Sequence, residues 1–467
     1  DCTSHTDTQT NSEGTAETVN GAIFACDDLK IKGSGSLTVN GNTADGIVCK
    51  NDLKIYNGNI TVNAVDDGVR GNDSVTIGND TDTDFSSLKL TVNAKGGDGI
   101  KTNATTAAEG EGAVIINGGT VHVSSNSDAI HATQALTVNG GDLNLKTTGS
   151  TSSTADISAK GLKAGCTDDS GTAITGTITV NGGNIVADTT DDAIHASGNI
   201  TLVGGKMEIN TGDDGVHSDA DVIIGQGSAN TYDDVQIIVY SGYEGVEGLN
   251  ITMNSGTVVT TTTDDGFNAA GGADGSGSQG GWGGGWGGGM SSGGSYSLNL
   301  KGGFAIVSTA SGDHDGFDSN GSLTVSGGIH ITNGQEPFDC DGTMSYTGGV
   351  YVKNAGSGGM GGGGMMPGGS GSMTESVSVS ASVSSGTRIT LCDGSGNVIV
   401  SFIADKNVSS LVAGCTAYSG AAFYTGGTLS GATYFQQLDD TQLAAYGGTL
   451  SGGTALSGSS NNNQWGW

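Results

Sequence analysis

Apolar and polar residues alternate with period two along most of the chain. Leu136-Thr137-Val138-Asn139-Gly140-Gly141 is followed by Leu143-Asn144-Leu145-Lys146-Thr147. The same pair of phrases returns as Ile178-Thr179-Val180-Asn181-Gly182-Gly183 then Ile185-Val186. It returns again as Leu323-Thr324-Val325-Ser326-Gly327-Gly328 then Ile329-His330-Ile331. Alternation of this kind puts one face of a strand against a core, and Asn-Gly and Gly-Gly pairs mark the turns between strands. No stretch carries a 3.6-residue period, so the pattern predicts an all-β chain.

A third phrase recurs between these pairs: an acid, Gly or Ala, an aliphatic residue or Phe, then a polar residue. Its copies are Asp45-Gly46-Ile47, Asp67-Gly68-Val69, Asp98-Gly99-Ile100, Asp128-Ala129-Ile130 and Asp192-Ala193-Ile194. Further copies are Asp214-Gly215-Val216, Glu244-Gly245-Val246, Asp265-Gly266-Phe267 and Asp315-Gly316-Phe317. Degenerate ones stand at Asn20-Gly21-Ala22-Ile23, Lys160-Gly161-Leu162 and Glu336-Pro337-Phe338. The shortest steps between copies are 21 and 22 residues, and the longer steps add an insertion. A unit this short cannot bury its own face, so units must stack. Three short strands per unit predict a right-handed parallel β-helix of about twelve coils, stacked about 4.8 Å apart. The near-constant Gly or Ala of the acid phrase marks a corner where a larger side chain clashes or where φ must be positive.

The pattern divides the chain into an N-terminal extension or cap (1–19), the β-helix (20–354) and a C-terminal β region with its tail (373–467). A Gly/Trp-rich insertion at 271–294 interrupts the helix, and a Gly/Met-rich linker spans 355–372. The C-terminal region is expected to cap the open solenoid end or to form a small β domain.

Composition adds three exclusions. Asp and Glu outnumber Lys and Arg by 48 to 16, a net charge of −32, which excludes a nucleic-acid binder working through basic contacts. No apolar run approaches the 18 or so residues of a membrane-spanning helix. The 87 glycines come with only 2 prolines, so collagen and Pro-rich linkers are excluded. The chain starts at Asp1 with no initiator Met or signal peptide and is read as a processed protein, secreted or held at the cell surface. Seven cysteines form no C-x-x-C motif. Cys26 and Cys49 are 23 residues apart, as are Cys392 and Cys415, making these the disulfide candidates.

In a stacked repeat the same position in successive units forms a line. The acid line is doubled at Asp66-Asp67, Asp191-Asp192, Asp213-Asp214 and Asp264-Asp265. Carboxylates about 5 Å apart repel, and a hard cation relieves them. Ca²⁺ is therefore expected on this line, with Asp45, Asp66, Asp67, Asp191, Asp192, Asp213, Asp214, Glu244, Asp264 and Asp265 as candidate ligands. The alternative is that each Asp caps its own turn. A second line lies three residues on: Arg70, Lys101, His131, Lys163, His195, His217, then Glu247, Asn268, Asp318 and Asp339. Its basic part either contacts acidic sugars or balances the acids beside it. His195 and His217 also admit zinc with neighbouring Asp residues. Trp282 and Trp286 in the insertion are candidates for stacking on sugar rings.

The Asp-Asp-Gly/Ala-Ile-His phrase, the Leu-Thr-Val-Asn-Gly-Gly strands and the Gly-rich insertions together resemble bacterial carbohydrate-binding β-helix proteins with a polysaccharide-lyase-like, pectate-lyase-like fold. Residues 20–352 carry the repeats, and the stretch Phe402 to Leu429 is similar to that family's ending. The resemblance implies calcium held between coils by the doubled Asp residues and binding of plant cell-wall polysaccharide without catalysis. Two other functions compete with this one. A subunit that self-assembles into an extracellular filament suits the odd cysteine count and the aromatic tail Gln464-Trp465-Gly466-Trp467. A calcium-dependent polysaccharide lyase suits Arg70 as the base that takes the proton α to a uronate carboxylate.

Overall fold

The computed structural model describes residues 8–10, 14–104, 108, 110–152, 155–156, 158–168, 170–270, 296–310, 314–333, 336–355, 370–435 and 444–457. Among these the regular elements are all strands, as the period-two pattern predicts. The described residues of 1–223 and 237–249 form one compact unit, and those of 224–236, 250–270 and 293–467 form a second. The division falls inside the 20–354 stretch that the sequence reads as one run.

In the first unit each repeat lays down three strands, such as Asp45–Cys49, Asp52–Ile55 and Gly58–Ala64. Each pairs in parallel with its counterpart in the next repeat, so three stacks build up. In the first, Ile47, Val69, Ile100, Ile130, Leu162, Ile194 and Val216 are register partners in turn. In the second, Leu53, Val75, Val114, Leu136, Ile178 and Ile200 align. In the third, Val62, Val92, Val123, Leu145, Ala187 and Ile209 align. All of these are buried. Parallel, in-register pairing puts like side chains above one another, so each apolar position becomes a continuous row of the core. Amides do the same within the third stack. Asn63 Nδ2 donates to Asn40 Oδ1 and Asn93 Nδ2 to Asn63 Oδ1, both at 2.9 Å. At the turns after the second stack a separate ladder runs through Asn117, Asn139 and Asn181 at 2.8 and 2.9 Å.

The glycines divide the two roles the sequence assigns jointly to the acid phrase. The corner glycines do not have positive φ. They are there for space: a Cβ on Gly68 would stand 2.2 Å from Val92 Cγ1 and 2.5 Å from the Gly99 carbonyl oxygen. Positive φ belongs instead to the second glycine of the turns, at Gly119, Gly141 and Gly183 (98°, 106° and 98°).

The second unit repeats the design with larger side chains. Phe267, Phe317 and Phe338 stack with centroids 5.2 and 4.9 Å apart, and Phe304, Ile329 and Val350 align in the adjoining stack. Here Val350–Ala355 meets an antiparallel partner, Val408–Gly414, which also pairs with Val377–Val383. Antiparallel pairing closes the parallel series of this stack, while the neighbouring stack takes one more parallel strand, Ser370–Ser372. Lys406 Nζ reinforces the closure by donating to the backbone carbonyls of Thr309 and Asn333. A separate antiparallel sheet joins Arg388–Cys392, Val398–Ile403 and Ala422–Thr425.

The described cysteines are free thiols, so the disulfide candidates are not joined. Cys49 is in register with Ala25, not Cys26, and successive side chains of a strand point to opposite faces. Cys49 Sγ donates inward to the carbonyls of Asp27 and Asp52, while Cys26 Sγ turns toward Gln9. Cys392 and Cys415 are each buried without a disulfide partner.

Gly68→Ala should lower stability by roughly 1–3 kcal/mol through overpacking. Gly35→Ala, where a Cβ meets nothing within 4 Å, should be near neutral. Equal urea midpoints for the two variants would contradict the steric account of the corner.

Candidate functional site

Backbone pairing and carboxylates interlock along the acid line. The Gly46, Gly68 and Gly99 amides donate at 2.9 Å to the carbonyls of Asp67, Asp98 and Asp128 in the following repeat. The acids' own amides turn the other way, toward the preceding repeat. Asp67 N–H donates to Asp45 Oδ1 (3.2 Å), Asp98 N–H to Asp67 Oδ1 (2.9 Å) and Asp128 N–H to Asp98 Oδ1 (3.0 Å). The series continues from Lys160 to Asp128 (2.9 Å), Asp214 to Asp192 (3.1 Å) and Glu244 to Asp214 (2.9 Å). In the second unit Asp315 donates to Asp265 at 2.6 Å. In these repeats the carboxylate caps the next repeat rather than its own turn, whereas the Asp192 amide donates to Asp191 Oδ1 beside it at 3.0 Å. A buried amide needs an acceptor, and a carboxylate is a strong one.

The second oxygen of each acid meets the base line. Arg70 Nη2 lies 2.7 Å from Asp45 Oδ2, and Lys101 Nζ lies 2.8 Å from Asp98 and 3.5 Å from Asp67. Lys163 Nζ lies 3.1 Å from Asp128, and His131 Nδ1 lies 3.5 Å from Asp98. Arg70, Lys101, His131, Lys163, His195 and His217 are consecutive register partners, so the base line is a true row beside the acids. Burial pushes the Asp45 carboxyl up to about 6 in spite of Arg70. At Asp98 burial is outweighed by His131 and Lys101, which hold its carboxyl below the usual range. Of the two roles the sequence allows the base line, charge balance is the one these contacts serve. Arg70, engaged by a buried carboxylate, is a structural cation.

The strongest calcium candidates contain a built-in cation. Lys160, at the acid position of its repeat, is buried and places Nζ 2.9 Å from Asp191 Oδ1 and 2.6 Å from Asp192 Oδ2. Burial opposes its charge, but the two carboxylates hold its pKa above the ordinary lysine value. Asp191, Asp192 and Asp213 still bring oxygens within 4.8 Å of one another, as do Asp214, Glu244 and Glu247. Burial pushes Glu247 up to about 8. His217, wholly buried, is 3.3 Å from Asp214 and 3.5 Å from Glu247. Burial works against its proton, yet these carboxylates lift it to about 10. Asp66 sits exposed, and Asp264 is paired with His314 at 2.6 Å. Further along, the base line has turned acidic. Burial and then the carboxylates of Asp265 and Asp339 push Asp318 up to about 8.

The sequence overlooks Lys160, because it reads that copy of the phrase only as degenerate. A lysine in an acid row one repeat before a doubled Asp is the signal that finds it. Asp219 and Glu247 approach the histidines only through the fold. Trp282 and Trp286 lie outside the described residues.

A pocket of about 220 Å³ opens beside this row in the first unit. Its lining includes Lys101, Asn103, His131, Thr133, Thr167 and Asp168. Fold and site together define an all-β protein of stacked parallel strands carrying an ion-paired ladder with a polar pocket beside it.

A family model described as carbohydrate-binding domain-containing protein matches residues 3–215. The chain is also similar to a carbohydrate-binding domain-containing protein of Acetivibrio thermocellus, 58% identical over 45 residues, 10% of this chain and 16% of that one. The matched part thus spans about a sixth of that relative's length. No solved structure matches the chain.

Lys160→Met should cost about 3–5 kcal/mol, because it leaves two buried carboxylates without their cation. Millimolar Ca²⁺ should restore part of that loss in the variant while changing the parent less. An unaltered melting temperature would contradict the role assigned to Lys160.

Asp318 yields a pH prediction. Folded, it holds its proton to about pH 8, whereas unfolded it releases it near pH 4. Between those values the folded chain binds the extra proton, so stability falls as pH rises. In chelator, Asp318→Asn should therefore gain stability over the parent as pH goes from 5 to 9. Melting curves that keep a constant offset across that range would refute it.

Proposed function

We propose that this chain is a non-catalytic protein that binds polysaccharide of plant cell-wall type through the pocket beside the ion-paired ladder. The observation that carries this reading is the pocket itself. It lies among residues matched by the carbohydrate-binding family model and offers hydroxyl, amide and carboxylate groups together, its His131 ring being bonded to the Gly165 carbonyl and Asp98. Such a mixture of donors and acceptors suits sugar hydroxyls. The ligand is a neutral glycan in this reading. Lys101 is already paired with Asp98 and Asp67, and the chain carries −32, so a polyuronate gains no free cation and meets a repelling field.

The parallel stacks are best described, in the same proposal, as coils of a right-handed β-helix, the usual hand of parallel crossovers. Calcium belongs between Asp265 of the acid line and Asp318 and Asp339, where the base line has turned acidic. The raised Asp318 carboxyl supports it, since crowded carboxylates are what a hard cation relieves. In the same reading the protein works outside the cell, where plant cell-wall polysaccharide is met.

Calorimetric titration with xylan and cello-oligosaccharides, and with polygalacturonate with and without Ca²⁺, tests the reading. The neutral oligosaccharides should bind. Asn103→Ala and Asp168→Ala should each weaken them about fivefold, the worth of one hydrogen bond. Binding confined to polygalacturonate in chelator, or neutral-glycan binding indifferent to both variants, would overturn it.

A further inference from the structure

We propose that His195, His217 and Asp219 form a binding site for a divalent transition metal such as Zn²⁺, separate from the polysaccharide pocket and from any calcium on the acid line. The two histidines are register partners on adjacent parallel strands. That pairing stacks their rings, with centroids 4.9 Å apart and planes inclined by 28°. Both Nε2 atoms face one carboxylate oxygen, Asp219 Oδ1, each at 3.7 Å. All three donor atoms lie within 4.8 Å of one another. A tetrahedral zinc ion with bonds of about 2.0–2.1 Å holds its ligand atoms roughly 3.3 Å apart, so a small inward movement of the Asp219 side chain closes the set.

The opposite edges of the rings face carboxylates, as those of metal-bound imidazoles usually do. Nδ1 of His195 lies 3.5 Å from Asp192 Oδ2, and Nδ1 of His217 lies 3.3 Å from Asp214 Oδ2. A carboxylate behind Nδ1 keeps a proton there and leaves the Nε2 lone pair for the metal. Neither ring nitrogen of His217 has a hydrogen bond, although the side chain is wholly buried. The Nε2 edge faces Asp219 Oδ1 at 3.7 Å, beyond hydrogen-bond reach, and a metal ion between them gives that nitrogen a partner. The surrounding acids Asp192, Asp214 and Glu247 attract a dication as they attract the imidazolium proton, which the metal displaces from Nε2 on binding. Asp219 is partly exposed, 36% for its side chain, so the site has a path to solvent and room for water as a fourth ligand.

Nitrogen donors distinguish this site from the oxygen-only sets of the acid line. Imidazole selects Zn²⁺, Cu²⁺ and Ni²⁺ over Ca²⁺ and Mg²⁺. The test uses full-length protein stripped with chelator and titrated with Zn²⁺ in excess Ca²⁺, read by a chromophoric competitor and by the visible spectrum of Co²⁺. One ion per chain should bind. The cobalt form should show the intense bands of four-coordinate nitrogen and oxygen ligation without a thiolate charge-transfer band. Asp219→Asn and His195→Gln should each weaken Zn²⁺ by at least about tenfold. Asp219→Asn changes a partly exposed side chain, so its apo form should melt with the parent. Asp188→Asn, at an exposed position elsewhere, should leave affinity unchanged. Absence of Zn²⁺ uptake, a thiolate-type cobalt spectrum, or affinity indifferent to both ligand variants would overturn the proposal.

Discussion

One hydrogen bond per repeat constrains the rest of this molecule. Parallel stacking pairs most amides from one repeat to the next, but the amide of the acid position turns out of the ladder. A carboxylate from the preceding repeat accepts it, as Asp45 does for Asp67 and Asp67 does for Asp98. A buried donor left without an acceptor costs about 1–3 kcal/mol, and the loss would recur at every level. The repeat therefore demands an acid, and the row of acids demands cations. The line of Arg70, Lys101, His131 and Lys163 answers that second demand.

This order of causes explains why the base line is poor evidence of an anionic ligand. Its charges face inward to acids that the backbone already requires. Where the repeat supplies Lys160 in place of an acid, the same logic puts its ammonium between Asp191 and Asp192, where a metal ion was expected. Where the line turns to Glu247 and Asp318, the carboxylates crowd and hold protons more tightly. Chemistry collects at these departures from the pattern rather than along the regular stretch. The polar pocket at Lys101 and His131 also sits at a departure, lined in part by Thr167 and Asp168, where the chain leaves the parallel stack to pair antiparallel with Ala173–Thr175.

Much of the fold was legible in the residues. Period-two alternation gave the strands, and steps of 21–22 residues gave the stacking. The two lines of charge were visible as spacing. The cysteine spacing misled, because equal intervals say nothing of which face a side chain takes. Cys49 points into the core while Cys26 lies off its register. The corner glycines were found together with the steric reason for them, while the positive φ offered as the alternative belongs to other glycines. The need for space at the corners comes from Val62, Val92 and Val123 of the facing stack, which are distant in the repeat.

The sequence by itself determined the strands, the parallel register and the rows of like residues. A short unit with one apolar face has only one way to hide it, and identical units must then align. The tertiary structure alone decided which charge meets which. Insertions make the steps vary from 21 to 50 residues, and a side chain's partner comes from a neighbouring repeat at no fixed distance along the chain. Only folding could bring Lys160 to Asp192, 32 residues on, or set Asp219 before the paired rings of His195 and His217.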